Sequence, residues 1–131
     1  MIVVAALLVR DGRILIAERP AGKKRAGEWE FPGGKCEPGE TPEAALAREL
    51  MEELGAEAEI EPALESVEHV YPDLRVEVRF HPCRLRAGSV VERREHARLE
   101  WVLPGEMAAY PFVEADRALL PRFAIWLKAR T

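Results

Sequence analysis

Cysteine is scarce in this chain, and its scarcity narrows the class of protein. Only Cys36 and Cys83 occur among 131 residues, too few for a disulfide framework, and their spacing matches no zinc motif. The simplest interpretation is two reduced thiols in a cytoplasmic protein. The apolar N-terminal stretch has no basic segment or cleavage-like site, and Arg10 ends it far short of a membrane span. We therefore expect neither a membrane partner nor a disulfide-stapled fold.

An excess of positive charge is also missing. The chain has 19 basic and 23 acidic residues, for a net charge of −4, so there is no reason to expect duplex nucleic acid or an anionic membrane as a partner. A small polyanion could still bind through a local basic cluster or a metal ion. With 48% hydrophobic residues over this length, we expect a single domain covering residues 1–131.

Turn signals and hydrophobic periodicity predict strands alternating with helices. Thr41 and Pro42 are typical of a helix start, and Gly55 of a helix end. The predicted strands span residues 1–9, 13–17, 29–31, 58–70, 74–85 and 99–103. The predicted helices span 42–54 and part of 114–129, with a short helical turn at 104–109. Residues 32–39 are predicted to form a glycine-rich loop.

The helix predicted over residues 42–54 concentrates acids near its C-terminal end. At about 100° per residue, Glu49, Glu52 and Glu53 share one arc, and a second arc with Ala47, Leu50, Met51 and Leu54 is predicted to face the core. Like charges at these spacings repel, and the helix terminus adds to the repulsion. One interpretation is a solvated acidic face neutralised by Arg48. The other is a site for Mg²⁺ or Mn²⁺, which prefer oxygen ligands.

The same region resembles the signature of the Nudix hydrolases. That signature reads Gly, five residues, Glu, seven residues, Arg-Glu, an aliphatic, any residue, Glu-Glu, any residue, Gly, an aliphatic. The matching positions are Gly34, Glu40, Arg48, Glu49, Leu50, Glu52, Glu53 and Gly55. Ala56 is smaller than the usual aliphatic. The stretch "GEWEFPGGK" before it is similar to the MutT-type nucleoside triphosphate pyrophosphohydrolases within this family.

The resemblance implies an α/β fold, an α/β/α sandwich with a central mixed sheet. It also implies a Mg²⁺-dependent enzyme, with Mn²⁺ as a possible substitute. By motif position, the metal ligands are the Gly33 carbonyl, Glu49, Glu52, Glu53 and, as a further candidate, Glu95. Arg48 would orient the glutamates, while Glu40, Gly34 and Gly55 would support the loop and helix. A carboxylate would accept the proton of the attacking water, with Glu49 as first candidate and Glu95 as second.

Three further residues stand at substrate-binding positions of MutT-like proteins: Arg19, Tyr71 and Asp116. Lys35 could add positive field for a triphosphate. Unaided by the resemblance, Arg19 and Lys35 would be surface cations, and Tyr71 could equally pack in the core. Asp116 stands where MutT has an asparagine that binds the oxidised purine, and it could instead cap a helix. The three histidines, His69, His81 and His96, have no spacing that indicates a site. Leu74 is a second departure, since MutT has an arginine there.

The resemblance predicts hydrolysis of a nucleoside triphosphate to a nucleoside monophosphate and pyrophosphate. Oxidised or surplus nucleotides such as 8-oxo-dGTP or CTP are the expected substrates, which would make the enzyme a sanitiser of the nucleotide pool. The alternative is hydrolysis of another diphosphate derivative, such as ADP-ribose or a dinucleoside polyphosphate. A purely binding module is disfavoured, because the chain keeps every carboxylate of the signature. Monomer and homodimer both stay open.

Overall fold

Strand β1 (Ile2–Arg10) is the strand around which the fold is organised. The structure, a computed structural model, describes residues 1–130. Over this range the other strands are β2 (Arg13–Glu18), β3 (Trp29–Glu30), β4 (Gly33–Lys35), β5 (Ala58–Ile60), β6 (Glu65–Tyr71), β7 (Leu74–Leu85) and β8 (Arg98–Val102). The helices are α1 (Pro42–Leu54), a 3₁₀ segment (Pro104–Ala109), α2 (Glu114–Arg117) and α3 (Leu120–Ala129).

The sheet is mixed, as predicted. β1 runs parallel to β7 over Ile2–Leu8 and antiparallel to β2 and β4. The hydrogen-bonded strand order is β3-β2-β1-β7-β5, and in addition β8 pairs with β2 and β6 pairs with β7. A parallel pair needs a long crossover, and the chain between β1 and β7 includes α1 and the short strands on which the site is built.

Alternation along β1 assigns its two faces to different helical layers. Val4, Ala6 and Leu8 belong to one buried cluster that also contains Leu46, Leu50 and Leu54 of α1. Ala5 and Leu7 belong to the other, together with Phe80 of β7 and residues of α3. The period of two in a strand explains this separation. The predicted α/β/α sandwich is therefore confirmed.

Helix α1 has both predicted caps. The Thr41 side chain accepts a hydrogen bond from the Ala44 N–H, and Gly55 ends the helix in the left-handed conformation at φ 61°. The predicted core arc is partly wrong, because Ala47 and Met51 are exposed. The buried face is instead centred between Leu46 and Leu50, and this rotation carries Glu53 into the interior.

Three element boundaries differ from the prediction for identifiable reasons. The strand predicted over 58–70 is interrupted, since Pro62 has no N–H to donate to a neighbouring strand. Residues 33–35, predicted as loop, form β4 by pairing with Val3–Ala5 of β1. The C-terminal helix divides into α2 and α3, with Pro121 in the first turn of α3. No helix within residues 1–130 is long and apolar enough to cross a membrane.

Candidate active site

The three clustered acids near the C-terminal end of α1 lie in different environments despite sharing one arc. The Glu53 side chain is 5% exposed, Glu49 16% and Glu52 48%. Their helix is capped and packed on the sheet through Leu46 and Leu50, so its rotation is fixed by the core. As a result one acid is buried, one lies at the edge of a cleft, and one faces outward.

Arg48 is the counter-charge of this acidic face. Its Nε and Nη2 donate to the two oxygens of Glu40 at 2.8 and 2.9 Å, and its Nη1 donates to Glu49 at 3.0 Å and Glu52 at 3.1 Å. The carboxylate of Glu40 also accepts from the Glu37 N–H, at 2.9 Å. Hydrogen bonding by Arg48 lowers the pKa of Glu40 to about 2. The Arg48–Glu40 pair therefore joins the preceding loop to the helix.

The two glycines of β4 let that strand approach its neighbours closely. A Cβ on Gly33 would lie 1.9 Å from the carbonyl oxygen of Val4, and one on Gly34 would lie 2.5 Å from the carboxyl carbon of Glu49. Any other residue at either position would displace β1 or the Glu49 carboxylate. The paired glycines thus bring the backbone of β4 against the acids of α1.

Two adjoining clefts open beside β4. The first, here called the acid cleft, has a volume of about 560 Å³ and contains Glu49, Glu53, Glu95 and His96 in its lining. The second, here called the base cleft, has a volume of about 490 Å³ and contains Tyr71 and Asp116. Both volumes lie in the roughly 300–1,000 Å³ range of ligand pockets. The clefts share a wall formed by Arg19, Glu30, Gly33, Gly34 and Lys35.

Glu53 is the residue of the acid cleft whose charged form is most disfavoured. Burial, reinforced by the neighbouring Glu49 carboxylate, raises the pKa of Glu53 to about 10. Its Oε1 atom is buried without a hydrogen bond and lies 3.5 Å from Nε2 of His96. Ionising this desolvated carboxyl group requires a cationic partner, because its charge would otherwise be uncompensated.

The donor set of the acid cleft fits a hard divalent cation. Glu49, Glu53 and Glu95 offer oxygens, and the cysteines lie outside the cleft lining, which suits Mg²⁺ or Mn²⁺ better than zinc. Within residues 1–130, no three acidic, histidine or cysteine side chains are already placed so that they could hold a metal ion. The physical reason is that Arg48 holds Glu49 and Glu52 on its own side. A cation would have to draw these carboxylates inward.

The base cleft has a buried acid at one end and an aromatic ring at the other. The Asp116 side chain accepts a long hydrogen bond, 3.5 Å, from the Phe31 N–H, and burial raises its pKa to about 7. Asp116 is the third residue of α2, whose N-cap is Val113, so the helix-cap interpretation is wrong. Tyr71 lies at the end of β6, where its hydroxyl accepts from Arg25 at 3.2 Å.

The structure brings most of the predicted site residues together. Arg19, Gly33, Gly34, Lys35, Glu49, Glu53 and Glu95 line the acid cleft, and Tyr71 and Asp116 line the base cleft. Glu52 and Arg48 are absent from both linings, because Glu52 points outward and Arg48 lies between the acids and Glu40. Gly55 is in the helix cap, away from the clefts.

Two residues of the site were missed by the sequence analysis. His96 is 5% exposed and contacts both Glu30 and Glu53, although its spacing in the sequence indicated no site. Glu30 lies in the wall shared by the two clefts. A signal was available for Glu30, since it is a carboxylate placed between the apolar aromatics Trp29 and Phe31. No comparable signal existed for His96.

Comparisons with known proteins agree with this geometry. The profile described as "NUDIX domain" matches residues 3–122. The chain is 43% identical to the CTP pyrophosphohydrolase of Escherichia coli K12, covering 98% of this chain and 94% of that protein. It is 39% identical to the putative 8-oxo-dGTP diphosphatase 2 of Mycobacterium tuberculosis, covering 94% and 87%.

A solved structure of high similarity extends the comparison to the fold. The solution structure of the E. coli ORF135 protein superposes with a TM-score of 0.81 at 40% identity, covering 98% of this chain and 91% of that one. The match therefore extends over nearly the whole chain rather than the signature alone. On the profile match and these relatives, the chain belongs to the Nudix family of hydrolases.

Proposed function

We propose that this Nudix hydrolase cleaves nucleoside triphosphates to a nucleoside monophosphate and pyrophosphate, with Mg²⁺ as its cofactor. The observation that carries the proposal is the junction of the two clefts. An acidic corner suited to a cation adjoins a cavity with an aromatic ring and a buried acid, and Arg19 and Lys35 stand in the wall between them. A triphosphate placed along that wall would present its phosphates to the acids and its base to Tyr71.

The residues proposed to hold the cation are Glu49, Glu52 and Glu53, with the Gly33 carbonyl and Glu95 as further ligands. A divalent cation bound there would neutralise phosphate charge and lower the pKa of the attacking water. Glu53 is suited to this position because its buried carboxylate has an oxygen without a hydrogen bond. Glu52 would have to exchange its contact with Arg48 for one with the ion. Mn²⁺ is expected to replace Mg²⁺, since both accept all-oxygen ligands.

We propose Glu49 as the general base and Glu95 as the second candidate. Glu49 lies at the edge of the cleft, 16% exposed, where its carboxylate can reach water without being fully desolvated. Arg48 donates to one of its oxygens, so the proton would be accepted on the other. Glu95 is exposed in the segment before β8 and lines the same cleft.

Arg19 and Lys35 are proposed to bind the phosphates, and Tyr71 and Asp116 the base. The relatives that act on CTP and on 8-oxo-dGTP by name support a pyrimidine or an oxidised purine as the substrate. An ionised Asp116 would accept a hydrogen bond from an exocyclic amino group, and a protonated one could also donate. Clearing such nucleotides would be a sanitation activity, which prevents their incorporation into nucleic acid.

The test is pyrophosphate release across a panel of normal and oxidised nucleoside triphosphates, with and without Mg²⁺. ADP-ribose and a dinucleoside polyphosphate belong in the panel as the competing substrate class. We expect Mg²⁺-dependent turnover of an 8-oxo-dGTP or CTP type of substrate. Faster turnover of ADP-ribose than of every triphosphate would reject the proposed substrate class while leaving a hydrolase.

Glu53→Gln tests the site within the same assay. The variant should lower kcat by roughly 10²-fold or more, the scale on which removed catalytic groups act, while the protein stays folded. Glu100→Gln, at an exposed position on β8, is the matched control and should turn over at the wild-type rate. Near-wild-type turnover by Glu53→Gln would contradict the assignment.

A further inference from the structure

Four side chains form a continuous line from the wall of the base cleft to the buried acid of α1. Arg19 donates to Oε1 of Glu30 at 2.9 Å, and Nε2 of His96 lies 3.1 Å from Oε2 of Glu30. The same His96 nitrogen lies 3.5 Å from Oε1 of Glu53. We propose that His96 is a positioning residue, which orients Glu53 for the cation and is itself held by Glu30. This inference rests on the proposed function.

Burial makes the contact between His96 and Glu53 energetically important. The side chains of His96 and Glu53 are each 5% exposed, so water cannot readily replace a missing partner. A buried acceptor without a donor is costly, and Oε1 of Glu53 makes no hydrogen bond in the present side-chain geometry. His96 is a donor within reach of that atom. A small rotation of either side chain would complete the bond.

The surroundings of the imidazole indicate where its proton lies. Nδ1 of His96 is buried and makes no hydrogen bond, whereas Nε2 faces carboxylate oxygens of both Glu30 and Glu53. A proton on Nε2 satisfies these acceptors, and a proton on Nδ1 would be buried without one. The tautomer inferred from this network therefore has a single N–H that Glu30 and Glu53 share.

The backbone around His96 is fixed to the rest of the site. The Arg94 N–H donates to the Glu53 carbonyl at 3.2 Å, and the Ala97 N–H donates to the Glu18 carbonyl at 2.9 Å. The segment carrying His96 is therefore tied to the end of α1 on one side and to the end of β2 on the other. A donor held in this way can restrict the rotamers of a neighbouring carboxylate, the usual task of residues that surround metal ligands.

The experiment compares three variants in a binding measurement without nucleotide. His96→Leu removes the donor and keeps an apolar side chain, while His96→Gln keeps an amide N–H near the position of Nε2. His81→Leu is the control, because His81 is also buried, at 2% exposure, yet lies on β7, across β1 from β4. Calorimetry with Mn²⁺ alone gives the dissociation constants, and thermal melting reports the cost of each variant in stability.

We expect His96→Leu to weaken Mn²⁺ binding by about 10-fold or more, the scale on which partners of metal ligands act. His96→Gln should recover most of that loss, and His81→Leu should bind as the wild type does even if it melts earlier. Wild-type affinity in a folded His96→Leu protein would overturn the inference and leave the proposed function intact. Absence of Mn²⁺ binding by the wild type would overturn the proposed metal site, and the inference with it.

If the His96→Leu protein does not fold, a measurement on the wild type still tests the inference. The imidazole nitrogens of the three histidines are followed by NMR during a Mg²⁺ titration. The His96 resonances should shift at the same midpoint as metal binding, and those of His81 should stay in place. His96 resonances that do not shift during the Mg²⁺ titration would refute the positioning role.

Steady-state kinetics separate positioning from a general structural effect. Because Glu53 is proposed to hold the cation and would act on the phosphate only through it, His96→Leu should lower kcat at saturating nucleotide and raise the Mg²⁺ concentration for half-maximal rate. The Michaelis constant for the nucleotide at saturating Mg²⁺ should change by less than about 3-fold, a small part of the roughly 10-fold effect expected on the metal. An unchanged kcat and Mg²⁺ requirement would again contradict the role.

Discussion

Glu53 illustrates how a single residue can be unfavourable for folding and yet suited to the function proposed for it. Its carboxylate is buried beside Glu49, and the raised pKa measures the cost of charging it there. The folded protein therefore holds a proton on Glu53 at pH values where the unfolded chain, with an ordinary pKa of 4.5, has released it. Stability contributed by this proton is present below pH 4.5 and is lost as the pH rises toward about 10.

Glu53→Gln should stabilise the metal-free protein, and the effect should grow with pH. The amide imitates the protonated acid without its desolvation cost. We expect the variant to match the wild type near pH 5 and to exceed it by roughly 1–3 kcal/mol at pH 8, measured by urea unfolding in EDTA. Glu100→Gln, at an exposed position, should show no such trend.

Adding Mg²⁺ should reverse the order of the two proteins. A ligand that binds only the folded state stabilises it by mass action, so the cation should raise the melting temperature of the wild type and leave that of Glu53→Gln nearly unchanged. A gap between the two metal-free proteins that does not depend on pH would show that Glu53 is not the buried titrating acid.

In its proposed role, Asp116 would make the choice of nucleobase depend on pH. Its pKa of about 7 means that the carboxyl can donate and accept below pH 7 but can only accept above it. We expect kcat/KM for 8-oxo-dGTP to fall relative to that for CTP between pH 6 and pH 8. Asp116→Asn should remove this trend, since an amide does not titrate in that range. A wild-type ratio that stays flat would contradict the role of Asp116.

At the scale of elements, the contacts of β4 with β1 and with α1 depend on two glycines. Substituting one should have a different effect from substituting the other. Gly34→Ala places a Cβ against the end of the Glu49 side chain, which can move, so the protein should fold and lose activity by about 10-fold or more. Gly33→Ala places a Cβ against the Val4 carbonyl, which cannot move without β1. That variant should lose at least about 1–3 kcal/mol of stability.

Gly105→Ala is the control for both glycine variants. Its Cβ would meet no atom within 4 Å, and its backbone is not in the left-handed region. Urea unfolding and pyrophosphate release should both match the wild type. Equal activities for Gly34→Ala and Gly105→Ala would show that the place of Glu49 over β4 is unimportant.

The elements that were predicted correctly are those whose signals are local. Thr41, Pro42 and Gly55 specify the ends of α1 through contacts within a few residues. β4 was missed, because Gly33–Lys35 becomes a strand only by pairing with β1, some thirty residues earlier. The rotation of α1 was misjudged for a similar reason. The hydrophobic arc suggested Met51 for the core, and the sheet instead selected a face that includes Glu53.

The residues of the candidate site show the same difference between local signals and contacts that are distant in the sequence. The acids of α1 and the glycines of β4 were found because their spacing along the chain is characteristic. Glu30 and His96 were not, since their distance of 3.1 Å joins residues 66 positions apart. The prediction that Asp116 caps a helix was wrong because α2 begins earlier, after Val113. The Val113 N–H is hydrogen-bonded to the Trp29 carbonyl of β3, a contact that the sequence does not reveal.

For the whole molecule, the decisive feature is the central place of β1. This strand pairs with β2, β4 and β7 and contributes to both buried clusters. The acid cleft and the base cleft both adjoin β4, which β1 positions. We propose that residues 1–131 act as one domain, in keeping with a Nudix profile that spans residues 3–122.

The parallel pairing of β1 with β7 also dictates when this protein can fold. Ile2 lies opposite Glu77 and Leu8 opposite Cys83, so β1 cannot complete its pairing until a strand some 75 residues later in the chain has been made. Until then the nascent chain carries an apolar strand with an open edge, the kind of segment that invites association with other chains. Slow synthesis ahead of β7 would prolong that exposure, and a chaperone that shields β1 would shorten it.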